Sequence, residues 1–166
     1  MMINRRRFIL VGGGLSAAFA LGLVPGRAAL AAPIAQFEVN YTDQQWHARL
    51  TAAQYHILRE EGTERPYSSP LNDEHRDGVF SCAGCDLPLF SSGAKFDSHT
   101  GWPSFYQPLD HAVAQRQDRS FGMVRNEVHC RRCGGHLGHV FDDGPQPTGL
   151  RYCMNGLALS FAPQKA

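Results

Sequence analysis

Five cysteines are the residues of this chain best suited to covalent or coordination chemistry, and their spacing divides them four and one. Cys82-Ala83-Gly84-Cys85 and Cys130-Arg131-Arg132-Cys133 are two Cys-x-x-Cys knuckles, the arrangement that lets four thiolates close a tetrahedron around one zinc ion. Gly134-Gly135 suits the second knuckle, because backbone N–H groups there must face sulfur with no side chain in the way. Zinc held by four cysteines has no open coordination position, so its role would be structural. Two disulfides are the competing use of the same thiols in an exported protein. A chain that folds in a reducing cytoplasm before export would load zinc first, and zinc is the stronger reading.

Cys153 is left over, and a thiol outside a metal shell is a candidate nucleophile. If Leu150 to Asn155 is a strand, its period of two puts Arg151, Cys153 and Asn155 on one face and Tyr152 and Met154 on the other. An arginine beside the sulfur favours thiolate, and an amide beyond it can hold a water or an oxygen. A lone strand cysteine is more commonly a small buried apolar residue; the polar neighbours here argue for reactivity. His136-Leu137-Gly138-His139 can be a metal-binding pair, an acid–base pair or structural histidines, the ligand reading being weakest once four cysteines fill the shell. Gly101-Trp102-Pro103-Ser104-Phe105 offers an aromatic platform, either core packing or a wall for an apolar substrate.

The elements that must position these groups are short. Thr42 stands three residues before Gln45, and Thr51 three before Gln54, each a capping-box signature opening a helix. Trp46 and Leu50 would share one face of the first helix, Tyr55 and Leu58 of the second, with Gly62 ending it. His47 and His56 are expected to be solvent-facing or packing residues. Glu64 to Asp77, punctuated by Pro66 and Pro70, reads as an irregular excursion over the surface. Short strands are then predicted at Gly78–Ser81, Leu89–Phe90, Ala112–Arg116, Gly122–His129, His139–Phe141 and Leu150–Phe161. This pattern predicts a mainly β fold, two packed antiparallel sheets in a small sandwich or barrel, with the helices at the N-terminal end.

Residues 1–31 carry four arginines and no acid, then an apolar run from Phe8 to Leu23 and Ala29-Leu30-Ala31. This is the pattern of a cleavable export signal, and Asn4-Arg5-Arg6-Arg7-Phe8-Ile9-Leu10 is similar to a twin-arginine signal, which exports folded proteins. The expected location is the bacterial periplasm, without stable membrane insertion after cleavage. Residues 32–41 would be a leader, with an edge strand through Phe37 and Val39, and 42–166 a single domain. Removing four arginines from 16 basic residues leaves 12 against 15 acidic ones. A mildly acidic chain without long single-sign runs argues against a nucleic-acid partner.

The motifs GTERPYSSPLN, FSCAGCDLPLFSSGAKFDS, GWPSFYQPL, CRRCGGHLGHVFDDGP and RYCMNGLALSF, in this order from about Trp46 to Phe161, resemble the B-type peptide methionine-R-sulfoxide reductases. The resemblance implies thiol-dependent reduction of methionine-R-sulfoxide in oxidised proteins, a repair activity of the oxidative stress response. It implies Cys153 as the catalytic cysteine and Cys82, Cys85, Cys130 and Cys133 as ligands of structural zinc. It further implies Trp102 as the wall of a methyl-binding pocket, with His136, His139 and Asn155 lining the site and Asp143 and Arg151 in support. His139 is the preferred acid, with His136 and Asn155 as positioning groups. Many members carry a resolving cysteine immediately before Gly-Trp-Pro; Thr100 stands there in this chain. A sulfenic acid on Cys153 would then be met by an outside thiol, from a thioredoxin-like protein or a small molecule. The competing classes are a zinc-ribbon binding module with a structural Cys153, and a cysteine acyl transferase using Cys153 and His139.

Overall fold

The computed structural model describes residues 37–165; the predicted export signal and residues 32–36 of the leader lie outside them. The helices α1 (Asp43–Arg49) and α2 (Ala52–Glu60) start where the hydroxyl signals place them. Both capping boxes form: Gln45 N–H donates to Thr42 Oγ1 at 3.3 Å and Thr42 N–H to Gln45 Oε1 at 2.8 Å, a reciprocity repeated by Thr51 and Gln54. Each cap contributes on the order of 1 kcal/mol. Trp46, Leu50, Ile57 and Leu58 are buried. Tyr55 is half-buried instead, stacked on His47 at 3.8 Å and bonded to Asp43. The left-handed residue that stops α2 is Glu61, and the N–H of Gly62 bonds the His56 carbonyl at 3.0 Å. His47 and His56 face solvent, each beside a carboxylate on its own helix.

Among the described residues nine strands follow: β1 (Gly78–Cys82), β2 (Pro88–Ser91), β3 (Lys95–Phe96), β4 (Ser104–Phe105), β5 (Val113–Asp118), β6 (Arg125–Cys130), β7 (His136–Phe141), β8 (Arg151–Met154) and β9 (Leu159–Pro163). They form two antiparallel sheets, ordered β2-β1-β9 and β3-β4-β8-β7-β6-β5. Aromatic side chains join the sheets: Phe105 of β4 stacks on Phe90 of β2 at 4.3 Å and meets Phe80 of β1 edge-on at 5.0 Å. Such pairs add about 0.5–1.5 kcal/mol each beyond the area they bury.

Three expectations are corrected. No strand runs through Phe37 and Val39; the segment is irregular, with Val39 N–H bonded to the Arg132 carbonyl at 3.0 Å. The single strand expected over Leu150–Phe161 is two, β8 and β9, in different sheets. A 3-10 turn at Gly156–Ala158 parts them, because the N–H groups of Gly156 and Leu157 donate to the Glu64 carboxylate, at 2.5 and 3.0 Å, and cannot join a ladder. Glu64 itself is buried, so the segment it opens is not wholly a surface excursion. No helix among the described residues is long and apolar enough to cross a membrane.

Candidate active site and thiol cluster

The two knuckles meet at the ends of strands from different sheets, Cys82 closing β1 and Cys130 closing β6. Cys82 Sγ lies 3.7 Å from Cys133 Sγ and Cys85 Sγ 3.5 Å from Cys130 Sγ, and all four sulfurs fall within 4.8 Å of one another. Tetrahedral Zn–S bonds of about 2.3 Å place sulfurs roughly 3.8 Å apart, so the cluster has the dimensions of a zinc shell. The neighbouring Cys130 sulfur, then those of Cys133 and Cys85, and after them burial, push the Cys82 thiol up. Four thiolates can share this space only with a cation among them. Gly134 takes φ +69° in the second knuckle, as the turn there requires. The cluster can therefore hold a metal ion and pin one sheet to the other.

Cys153 lies in the middle of the six-stranded sheet, opposite His139 of β7 on one side and Ser104 of β4 on the other. The predicted strand parity holds: Tyr152 and Met154 are buried, whereas Arg151 and Cys153 are half-exposed. A cavity of about 140 Å³ opens over the sulfur, walled by Trp102, His139, Asn155, Phe141, Arg125 and Thr63. Thr100 Oγ1 is 3.9 Å from Cys153 Sγ and hydrogen-bonds Ser98 at 2.7 Å; Ser98 in turn bonds Ser104 at 2.7 Å.

Arg151 favours the ionised form of Cys153, as expected, but it is not the largest influence there. Burial is the largest influence on Cys153 and raises its pKa above the ordinary thiol value, outweighing Thr100, Arg151 and Ser104. Arg151 is committed elsewhere, to Asp143 through two bonds of 2.8 Å and to the Phe141 ring at 4.4 Å. A thiol raised in this way needs a proton acceptor if it is to react.

His139 is the group in reach. Its Nε2 lies 2.9 Å from Asp118 Oδ2. Asp118 is held well below the carboxylate range, first by the Ser120 N–H and then by Ser120 Oγ, His139 and Arg125. An ionised Asp118 accepts a hydrogen bond from Nε2–H, which leaves Nδ1 as the ring nitrogen that can exchange a proton. Burial lowers the pKa of His139, and Asp118 opposes that shift. His136 is separated from this cavity. It is buried, its Nδ1 bonds Glu127 Oε1 at 2.8 Å, and its Nε2 has no partner among the described residues. It sits 5.5 Å from His139 ring to ring and lines a neighbouring cleft with Glu127 and Asp118.

Asn155 is buried and held at both ends: its Oδ1 accepts from Glu64 N–H at 3.0 Å and its Nδ2 donates to the Leu137 carbonyl at 3.1 Å. The second hydrogen of that amide is left for the cavity. Trp102 is fixed by Nε1 donating to the Glu64 carbonyl at 3.1 Å. Glu64 thus braces both walls through its main chain and the turn after Asn155 through its carboxylate. Of the predicted site residues, Cys153, His139, Asn155 and Trp102 come together over one cavity, while His136, Arg151 and Asp143 stand behind it. Sequence reasoning missed Glu64, Thr63, Asp118 and Arg125. Only Glu64 and Thr63 carried a signal, as members of the GTERPYSSPLN motif.

A family model described as the SelR domain matches residues 50–163. The chain is similar to a peptide methionine sulfoxide reductase MsrB of Thiobacillus denitrificans, with 59% identity over 124 residues, 74% of this chain and 94% of that protein. It is 54% identical over 127 residues to one from Agrobacterium fabrum, covering 76% of this chain and 94% of that protein. A Pseudomonas entomophila relative of the same name is 54% identical over 128 residues, covering 76% and 98%.

Proposed function

Since the chain belongs to the SelR domain family, that of the B-type methionine sulfoxide reductases, we propose that it reduces methionine-R-sulfoxide in oxidised proteins through Cys153. The observation that carries the reading is the placement of Cys153 directly across β7 and β8 from His139 beneath one small cavity. The substrate's methyl group packs on Trp102, a sulfur–aromatic contact worth about 0.3–1.5 kcal/mol. The sulfinyl oxygen faces the free Asn155 amide hydrogen and His139.

The Cys153 proton passes to His139 as the sulfur attacks, and His139 returns a proton to the sulfoxide oxygen, which otherwise leaves poorly. The S–O bond to methionine breaks, and the oxygen ends on Cys153 as a sulfenic acid. The methionine sulfur gains the two electrons that Cys153 loses. An external thiol then attacks the sulfenic acid, releasing water and forming a mixed disulfide, and a second thiol frees Cys153. Thr100 beside the sulfur, and the gathering of the other four cysteines elsewhere, support a thioredoxin-like protein or a small thiol as that reductant. Cys82, Cys85, Cys130 and Cys133 would hold zinc, which serves only to fix the two sheets. Glu64, Asp118 and Arg151 act as positioning residues, with His136 and Asp143 behind them.

Export to the periplasm is supported by the twin-arginine pattern of residues 1–31, with the mature protein comprising a leader at 32–41 and a single domain at 42–166. Fusion of residues 1–41 to a reporter that is active only after folded export tests this; retention in the cytoplasm would exclude it.

Turnover of an R-sulfoxide peptide with dithiothreitol, absent for the S epimer and absent in Cys153→Ser, is the expected result. Intact mass after substrate treatment without thiol should show one added oxygen on Cys153. A species two hydrogens lighter, with Cys153 joined to another cysteine, would show an internal disulfide and rule out the external thiol.

A further inference from the structure

Thr63 lines the Cys153 cavity and also a groove of about 640 Å³ that runs from it between Leu71, Leu157 and the start of β9. The chain itself links the two, since Asn155 walls the cavity and Leu157 walls the groove. Among the described residues β9 is an edge strand that pairs with β1 alone. The bonds Gln164 N–H to Asp77 O and Ala83 N–H to Ala158 O set the alternation of that ladder, so Ser160 and Ala162 bond towards β1. The Leu159 carbonyl and the Phe161 N–H therefore point to the unpaired side. An acceptor and a donor spaced this way match one residue of an extended chain, and Leu157, 36% exposed, adds an apolar contact beside them.

We propose that this groove binds the main chain flanking a methionine sulfoxide, in extended conformation and with an apolar neighbour against Leu157, while the oxidised side chain enters the Cys153 cavity. The inference rests on the reductase reading of Cys153. A cavity of about 140 Å³ has room for the reacting side chain only, so flanking residues must lie outside it. The other cleft meeting Thr63 is walled by ion-paired groups, Asp118 with Arg125 and Glu127 with Arg116. A polypeptide would have to desolvate these without replacing their partners. The free strand edge selects a segment that can extend over the site, and a single amino acid cannot use it.

The test compares a pentapeptide with a central methionine-R-sulfoxide and apolar neighbours with N-acetyl methionine-R-sulfoxide amide. The peptide should have about tenfold higher kcat/KM, carried by KM, as two edge hydrogen bonds would give. N-methylating its flanking amides in turn should bring it back to the single-residue value at one position. Ser160→Tyr, a strand-compatible change whose bulk fills the groove, should do the same while single-residue turnover stays level. Equal kcat/KM for peptide and single residue, or a preference surviving both changes, overturns the groove and leaves the reductase reading intact. If Ser160→Tyr fails to fold, the N-methylated peptides decide on the unmodified enzyme. No turnover of either the peptide or the single residue by the unmodified protein overturns the reductase reading and the groove with it.

Discussion

Cys153 and His139 are cross-strand partners, directly opposite each other in the β7–β8 ladder. The strand period makes this relationship all-or-none: a slip of one residue would set Met154 against His139 and turn the sulfur to the core. Gly138 holds the register, because a Cβ at that position would lie 2.1 Å from the Cys153 carbonyl oxygen. The same interstrand closeness that brings the Cys153 sulfur and the His139 ring together thus depends on a missing side chain.

Gly138→Ala should push β7 from β8. We expect a loss of roughly 100-fold or more in kcat/KM from misplacement of the reacting pair, with a cost of about 1–3 kcal/mol in denaturant unfolding. Unchanged kinetics in a folded variant would mean that the Cys153–His139 spacing does not limit the reaction.

The pH dependence follows from burial. His139 titrates below the ordinary imidazole value of 6.5 and Cys153 above the ordinary thiol value of 9.0. The pair shares one exchangeable proton between those limits, so kcat/KM should be level through neutrality and fall on both sides. Asp118 raises the pKa of His139; Asp118→Asn should therefore move the acid limb to lower pH. A limb that stays in place or moves upward would exclude His139 as its source.

Glu64→Gln keeps the main-chain bonds to Trp102 and Asn155 but replaces a charged acceptor of two N–H groups by a neutral one. A stability loss of about 1–3 kcal/mol is expected, with kcat/KM for the single-residue sulfoxide falling as the walls loosen. Thermal unfolding and steady-state kinetics measure both. Full stability would show that the turn after Asn155 does not need the carboxylate.

Elemental analysis of the purified protein should find one zinc per chain, and Cys85→Ser should lose it together with cooperative unfolding, since metal binding of this kind is part of the folding free energy. Chelation should lower the Tm of the unmodified protein. Zinc content and Tm both unaffected by Cys85→Ser would detach the metal from these thiols.

The chemistry of this chain is legible in residue types and local spacing. Two knuckles separate four thiols from Cys153, and strand parity sets Cys153 on the opposite face from Tyr152 and Met154. Thr42 and Thr51 mark both helix starts, because a capping box closes within four residues and needs no other part of the chain. What only the tertiary structure decided depends on distant partners. Glu64 is buried because its carboxylate meets amides 92 and 93 positions away, and those bonds break one apparent strand into β8 and β9. Desolvation by the assembled sheet, which no neighbouring residue reveals, raises the pKa of Cys153 despite Arg151. His136 and His139, three residues apart, are alike in sequence until β6, β7 and β8 pair and set His139, not His136, at the cavity over the Cys153 sulfur.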